Sequence, residues 1–77
     1  MAKKPYSEQD FVKSISSKIK QMRVDKGYTS YENFALDNKI DRKQYWRVEN
    51  NANLTVKSLF KILQKLEIDP STFFKDL

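Results

Sequence analysis

Five times along the chain a short oxygen-bearing residue stands just ahead of apolar residues at helical spacing: Ser7, Thr29, Asp41, Thr55 and Asp69. Side chains of this type accept hydrogen bonds from the orphan N–H groups of a helix start. Three residues after Ser7, Thr29 and Asp41 come Asp10, Glu32 and Gln44, the spacing of a capping box. After Asp69 comes Pro70, at the first helical position, where a missing N–H costs nothing. No stretch between these starts reads as a strand. The pattern therefore predicts an all-α fold of five helices.

The apolar residues fill that outline. Phe11, Ile15, Ile19 and Met22 form one stripe on a first helix, which Gly27 would end. Thr29 and Glu32 open a second helix of about eight residues, with Phe34 and Ala35 inward. Asn38 and Lys39 make a turn, with Asn38 taking any positive φ, and Ile40 tucks beneath it. In the third helix, 41–49, Tyr45 and Val48 face the core, while Arg42, Lys43, Trp46 and Arg47 fall on the other side. A polar loop, 50–53, follows. Val56, Leu59, Phe60, Ile62, Leu63 and Leu66 give the fourth helix a broad apolar face. Phe73 and Phe74 sit on a short last helix and are expected in the core, although both cannot easily face inward, which leaves a contact with a second copy open for one of them. Phe60 and Leu77 are expected in the core. Residues 1–6, with Lys3 and Lys4 before Pro5, read as a flexible basic arm, and 7–77 as a single domain.

Composition removes several classes of function. With no Cys and no His, thiolate metal sites, disulfides and the commonest general base are absent. Asp37, Asp41 and Glu49 are scattered and have capping or ion-pairing uses, and there is no Gly-rich phosphate loop. The expectation is a protein that is not an enzyme and uses no cofactor or metal. Apolar runs are far too short to span a bilayer, and the N-terminus lacks the apolar core of a secretory signal. A cytoplasmic location is expected. Lys plus Arg number 15 against 10 for Asp plus Glu, a net +5, which favours an anionic partner.

Arg42 and Lys43 point to that partner. They occupy the start of the third helix, the end that already carries partial positive charge. Local stability does not explain cations there, whereas a docked polyanion does. Arg47 follows one turn later. Arg and Lys can reach guanine O6 and N7 in the major groove. Gln44 can read adenine or serve as a capping residue. Trp46 can pack on the fourth helix, stack beside a DNA backbone or touch a thymine methyl, and a partly exposed position is expected. Tyr31 can donate to phosphate or simply pack at the surface.

The order of IKQMR (19–23), SYENFA (30–35), R-x-x-Y-x-R-V-E-N (42–50), LTVKSLFKIL (54–63) and DPSTFF (69–74) resembles the lambda-repressor-like, or XRE/Cro-C1 type, helix-turn-helix family. The resemblance spans about Ile15 to Phe74. It implies that the second helix crosses the DNA backbone and the third enters the major groove. Arg42, Lys43 and Arg47 match base-facing positions. Ser30, Tyr31 and Asn50 match backbone-contacting ones, and Trp46 is placed beside the backbone. Arg23 and Glu49 match a buried structural ion pair. The chain departs from the pattern in having Lys39 where the turn usually has Gly, one extra residue after Gly27, one fewer after Asn50, and a bulky Trp46. The implied function is sequence-specific binding of double-stranded DNA by a homodimer, as a prokaryotic transcriptional regulator acting as a repressor. In some relatives a basic N-terminal arm wraps the duplex. The alternative is a protein-interaction module, such as an antitoxin that neutralises a protein partner and also binds its own promoter.

Overall fold

A computed structural model of the chain describes residues 7–50 and 54–77. Its elements are α1 (Glu8–Asp25), α2 (Tyr31–Asp37), α3 (Arg42–Glu49), α4 (Val56–Leu66) and α5 (Pro70–Lys75). The described residues contain no strand. The basic arm and positions 51–53 of the polar loop lie outside them.

Four of the five starts are capped where the sequence places them. Ser7, Asp41, Thr55 and Asp69 accept from the backbone N–H of Asp10, Gln44, Ser58 and Thr72. The second start differs. Ser30 rather than Thr29 caps α2, its Oγ accepting from Asn33 N at 3.3 Å. Helical bonding begins with Phe34 N donating to Ser30 O. Glu32 therefore does not close back on Thr29, and its carboxylate is left for another use. The box proposed at Asp41 is also only half formed. Gln44 N–H binds Asp41, but its side-chain amide donates to Ser58 Oγ at 3.1 Å, joining the starts of α3 and α4.

Three helix ends share one device. Gly27, Lys39 and Glu67 take positive φ values of 101°, 57° and 60°. In each case the next residue donates its N–H back: Tyr28 to Arg23 O, Ile40 to Ala35 O and Ile68 to Leu63 O. This satisfies a terminal carbonyl and turns an apolar or aromatic residue inward. The left-handed residue in the α2–α3 turn is thus Lys39, not Asn38. Asn38 stays at φ −101° and spends its amide on Phe34 O at 2.8 Å.

The core joins Ile15 and Ile19 of α1, Phe34 and Ala35 of α2, Ile40 of the turn that follows, Tyr45 and Val48 of α3, Leu59, Ile62, Leu63 and Leu66 of α4, and Phe73 of α5. Phe34 sits between the rings of Tyr28 and Tyr45, at 5.2 and 5.0 Å. Phe73 is fully buried, and Phe74 beside it is 42% exposed. Three apolar residues assigned inward are not. Phe11 is 43% exposed, Phe60 55% and Val56 84%. Each sits on a helix whose apolar stripe is wider than the neighbouring helices cover.

Candidate nucleic-acid interface

The position of α3 is set from beneath. Tyr45 and Val48 drop into the core, and Ser16 of α1 donates its hydroxyl to Val48 O at 2.6 Å. Arg23 of α1 makes the second anchor. Its Nε donates to Glu49 Oε2 at 2.7 Å, one terminal nitrogen to Oε1 at 3.3 Å, and the other to Tyr28 O at 2.7 Å. The Tyr45 hydroxyl donates to Glu49 Oε2, the oxygen that also accepts from Arg23 Nε. Both charged side chains are almost fully buried, and the described residues contain no buried side-chain polar atom without a partner. Burial opposes the Arg23 charge, but the hydrogen bond and charge of Glu49 outweigh it and hold the guanidinium pKa above its ordinary value. Burial, followed by the bond to Glu49, pushes the Tyr45 phenol far up.

With that side locked down, the opposite side of α3 faces outward. Arg42, Lys43, Gln44, Trp46 and Arg47 are all exposed, Trp46 at 45%. Arg42, Lys43, Trp46 and Arg47 line an open surface cleft of about 420 Å³ together with Tyr31 and Glu32 from the start of α2. The cleft thus collects three cations, two aromatic side chains and one carboxylate. Lys43 and Arg47 form no ion pair among the described residues. Arg42 does, to Glu32 Oε2 at 3.3 Å, across the turn between α2 and α3.

Ser30, Gln44 and Asn50, also singled out in the sequence, are not among the residues that line this cleft. The Ser30 hydroxyl oxygen is engaged at the α2 cap. Asn50 ends α3, and its amide donates to Trp46 O at 2.9 Å. The Gln44 amide is engaged by Ser58. Sequence reasoning treated Glu32 only as a capping residue. The available signal was an acid and a base at the starts of two successive helices, which a short turn brings together. Among the described residues no group of His, Cys, Asp or Glu could hold a metal ion, and no helix is long and apolar enough to cross a membrane.

Two helices joined by a tight turn, the second buried on one side and cationic on the other within a five-helix fold, define a helix-turn-helix domain. No protein-family model and no curated protein matches the chain. Solved structures do. The wild-type restriction-modification controller protein C.Esp1396I matches at a TM-score of 0.72 and 34% identity, over 91% of this chain and 87% of that one. A point mutant of the same protein matches at 0.75 and 34%, over 90% and 87%. Its tetramer in complex with a natural 35 base-pair operator matches at 0.72 and 34%, over 91% and 90%. The chain belongs to the helix-turn-helix regulator family of this controller protein.

Proposed function

We propose that the chain binds double-stranded DNA sequence-specifically and regulates transcription, with α3 in the major groove. The observation that carries this reading is the cleft. Arg42, Lys43 and Arg47 converge on one exposed side of a helix whose other side is fixed by the core. Lys43 and Arg47 have no acidic partner among the described residues, and Lys43 stands in the first turn of α3, where a cation is unfavourable unless an anion meets it; Arg42 beside it has Glu32. An α-helix fits the major groove of B-form DNA, and these side chains match its acceptor edges. The 34% identity to a controller protein solved on its operator supports the same reading.

Within the helix-turn-helix regulators we place the chain in the lambda-repressor-like, XRE type. Arg42, Lys43 and Arg47 read bases, while Tyr31 and Trp46, at the walls of the cleft, contact backbone. Ser30 and Asn50 contribute to phosphate binding through whatever hydrogen-bonding capacity their caps leave. Two copies bind a near-palindromic operator with half-sites about one helical turn apart (~34 Å), and occupancy excludes polymerase. Val56, Phe60 and Phe74 supply the apolar contact between the copies. Selection of bound sites from random duplexes at two salt concentrations tests the reading. An enriched inverted repeat is the expected result. Uniform, salt-sensitive binding would reduce the cleft to a basic surface.

A further inference from the structure

Glu32 is the one carboxylate in the cationic cleft. A negative charge there repels phosphate, so general affinity for DNA does not account for it. Its place in α2 gives a partial account, because an acidic residue near a helix start is favoured by the helix dipole. That account does not explain where the carboxylate points. Glu32 Oε2 accepts from a terminal nitrogen of Arg42 at 3.3 Å, ten residues away and on the next helix. Both side chains remain more than half exposed, at 53% and 61%, so the contact is not forced by burial.

Taking the operator-binding reading as given, we propose that Glu32 is a positioning residue that fixes the Arg42 guanidinium for reading one base pair. An unpaired Arg at the first turn of α3 explores many rotamers and can spend its charge on any nearby phosphate. Glu32 engages one nitrogen and leaves the other guanidinium donors unclaimed by any acidic side chain among the described residues. The planar fork is thereby pre-oriented, and less side-chain entropy is lost when it meets a base. The pair is weak in water, where exposed ion pairs contribute little. It strengthens when DNA excludes solvent from the cleft. Glu32 also disfavours the competing arrangement in which Arg42 reaches a phosphate, because the carboxylate would then face the backbone uncompensated. Glu32 therefore trades general affinity for selectivity.

The test is site selection and competition binding with full-length wild type, Glu32→Ala, Glu32→Gln, Arg42→Ala and the double variant Glu32→Ala/Arg42→Ala, with thermal melts to verify folding. Glu32→Ala is expected to bind random duplex more tightly while losing about tenfold discrimination at a single base pair, the one that Arg42→Ala also relaxes. Glu32→Gln keeps an acceptor oxygen and loses the charge. It should match Glu32→Ala on random duplex and recover part of the lost discrimination, which a pure charge effect would not allow. In the Arg42→Ala background, removing Glu32 should change discrimination no further. Wild-type base preference retained at every position in Glu32→Ala overturns the proposal, as does a loss that persists without Arg42. A wild-type protein that selects no sequence overturns the operator reading itself, and this proposal with it.

Discussion

Arg23 is where a single residue matters most to the fold. Its guanidinium ties α1 to the end of α3 and to the Tyr28 carbonyl, in a site almost closed to water. Arg23→Ala leaves Glu49 charged and buried, which should cost about 3–5 kcal/mol, much of the stability of a domain this small. Urea melts would measure it, and a loss below about 1 kcal/mol would mean that Glu49 finds water instead. Tyr45 adds a pH dependence. Its pKa is raised by burial and by the bond to Glu49. A raised folded pKa gives stability that is complete below the unfolded value, about 10, and is lost as pH rises beyond it. Alkaline unfolding should therefore set in above pH ~10. Tyr45→Phe should be about 1.5–3 kcal/mol weaker at pH 7, yet lose less on going to pH 11. Some slope should survive, because the hydrogen bond from Tyr28 to Asp37 raises that phenol too. Parallel pH profiles for the two proteins would remove Tyr45 as the cause. On the outward side, Arg42→Ala should cost about 1–3 kcal/mol of operator affinity and relax one base pair, leaving stability nearly unchanged. Unaltered preference in the selected sites would take the base-reading role from Arg42.

At the level of elements, the α2–α3 turn carries the strain. Lys39 holds φ 57°, a conformation that costs an L-residue roughly 1–2 kcal/mol and Gly nothing. Gly in turn loses about 0.5–1 kcal/mol through the unfolded chain. Lys39→Gly should therefore stabilise the domain by about 0.5–1 kcal/mol in urea melts, whereas Lys39→Ala, which keeps a Cβ, should not. Equal effects of the two substitutions would show that no strain is stored at this residue. This turn also marks what the sequence could reveal. Ser7, Asp41, Thr55 and Asp69 were legible as caps because a cap depends on residues three apart. The inward places of Ile15, Phe34, Tyr45 and Val48 were legible from periodicity. The swap of Thr29 for Ser30 was not, since two adjacent hydroxyl residues compete for one role and packing decides between them. With Gly absent from the turn, nothing local said which of Asn38 and Lys39 would go left-handed. Asn38 has the better propensity, but its amide is used on Phe34 O. The pairing of Glu32 with Arg42 depends on the angle between two helices, which no local pattern encodes.

Across the whole molecule, two surfaces stand out, and they share no lining residue. One is the cationic cleft of α2 and α3. The other is apolar: Phe11 stacks on Phe74 at 6.5 Å, Val56 and Phe74 border two shallow depressions, one shared by α1, α4 and α5 and one between α4 and α5, and Phe60 borders the second. Helical periodicity overstated burial here because it reports how wide an apolar face is, not what covers it. An exposed contiguous apolar patch is the kind of surface through which the proposed dimer would form. A second copy meeting it across a two-fold axis would use the same residues on both sides. Such a dimer presents two clefts to one duplex, and the second half-site then binds at high effective concentration. Phe60 is the residue to test, because it is 55% exposed and its replacement opens no cavity. At concentrations low enough for wild type to be monomeric, Phe60→Glu should melt within about 0.5 kcal/mol of it, and at concentrations where wild type is a dimer the variant should sediment as a monomer. Its affinity for an isolated half-site should be unchanged, and its affinity for the inverted repeat should fall about 100-fold or more, toward the half-site value. If Phe60→Glu sediments as wild type and keeps full affinity for the repeat, the copies meet elsewhere. If it loses affinity for the half-site as well, the apolar face and the cationic cleft are coupled through the fold rather than through dimerisation.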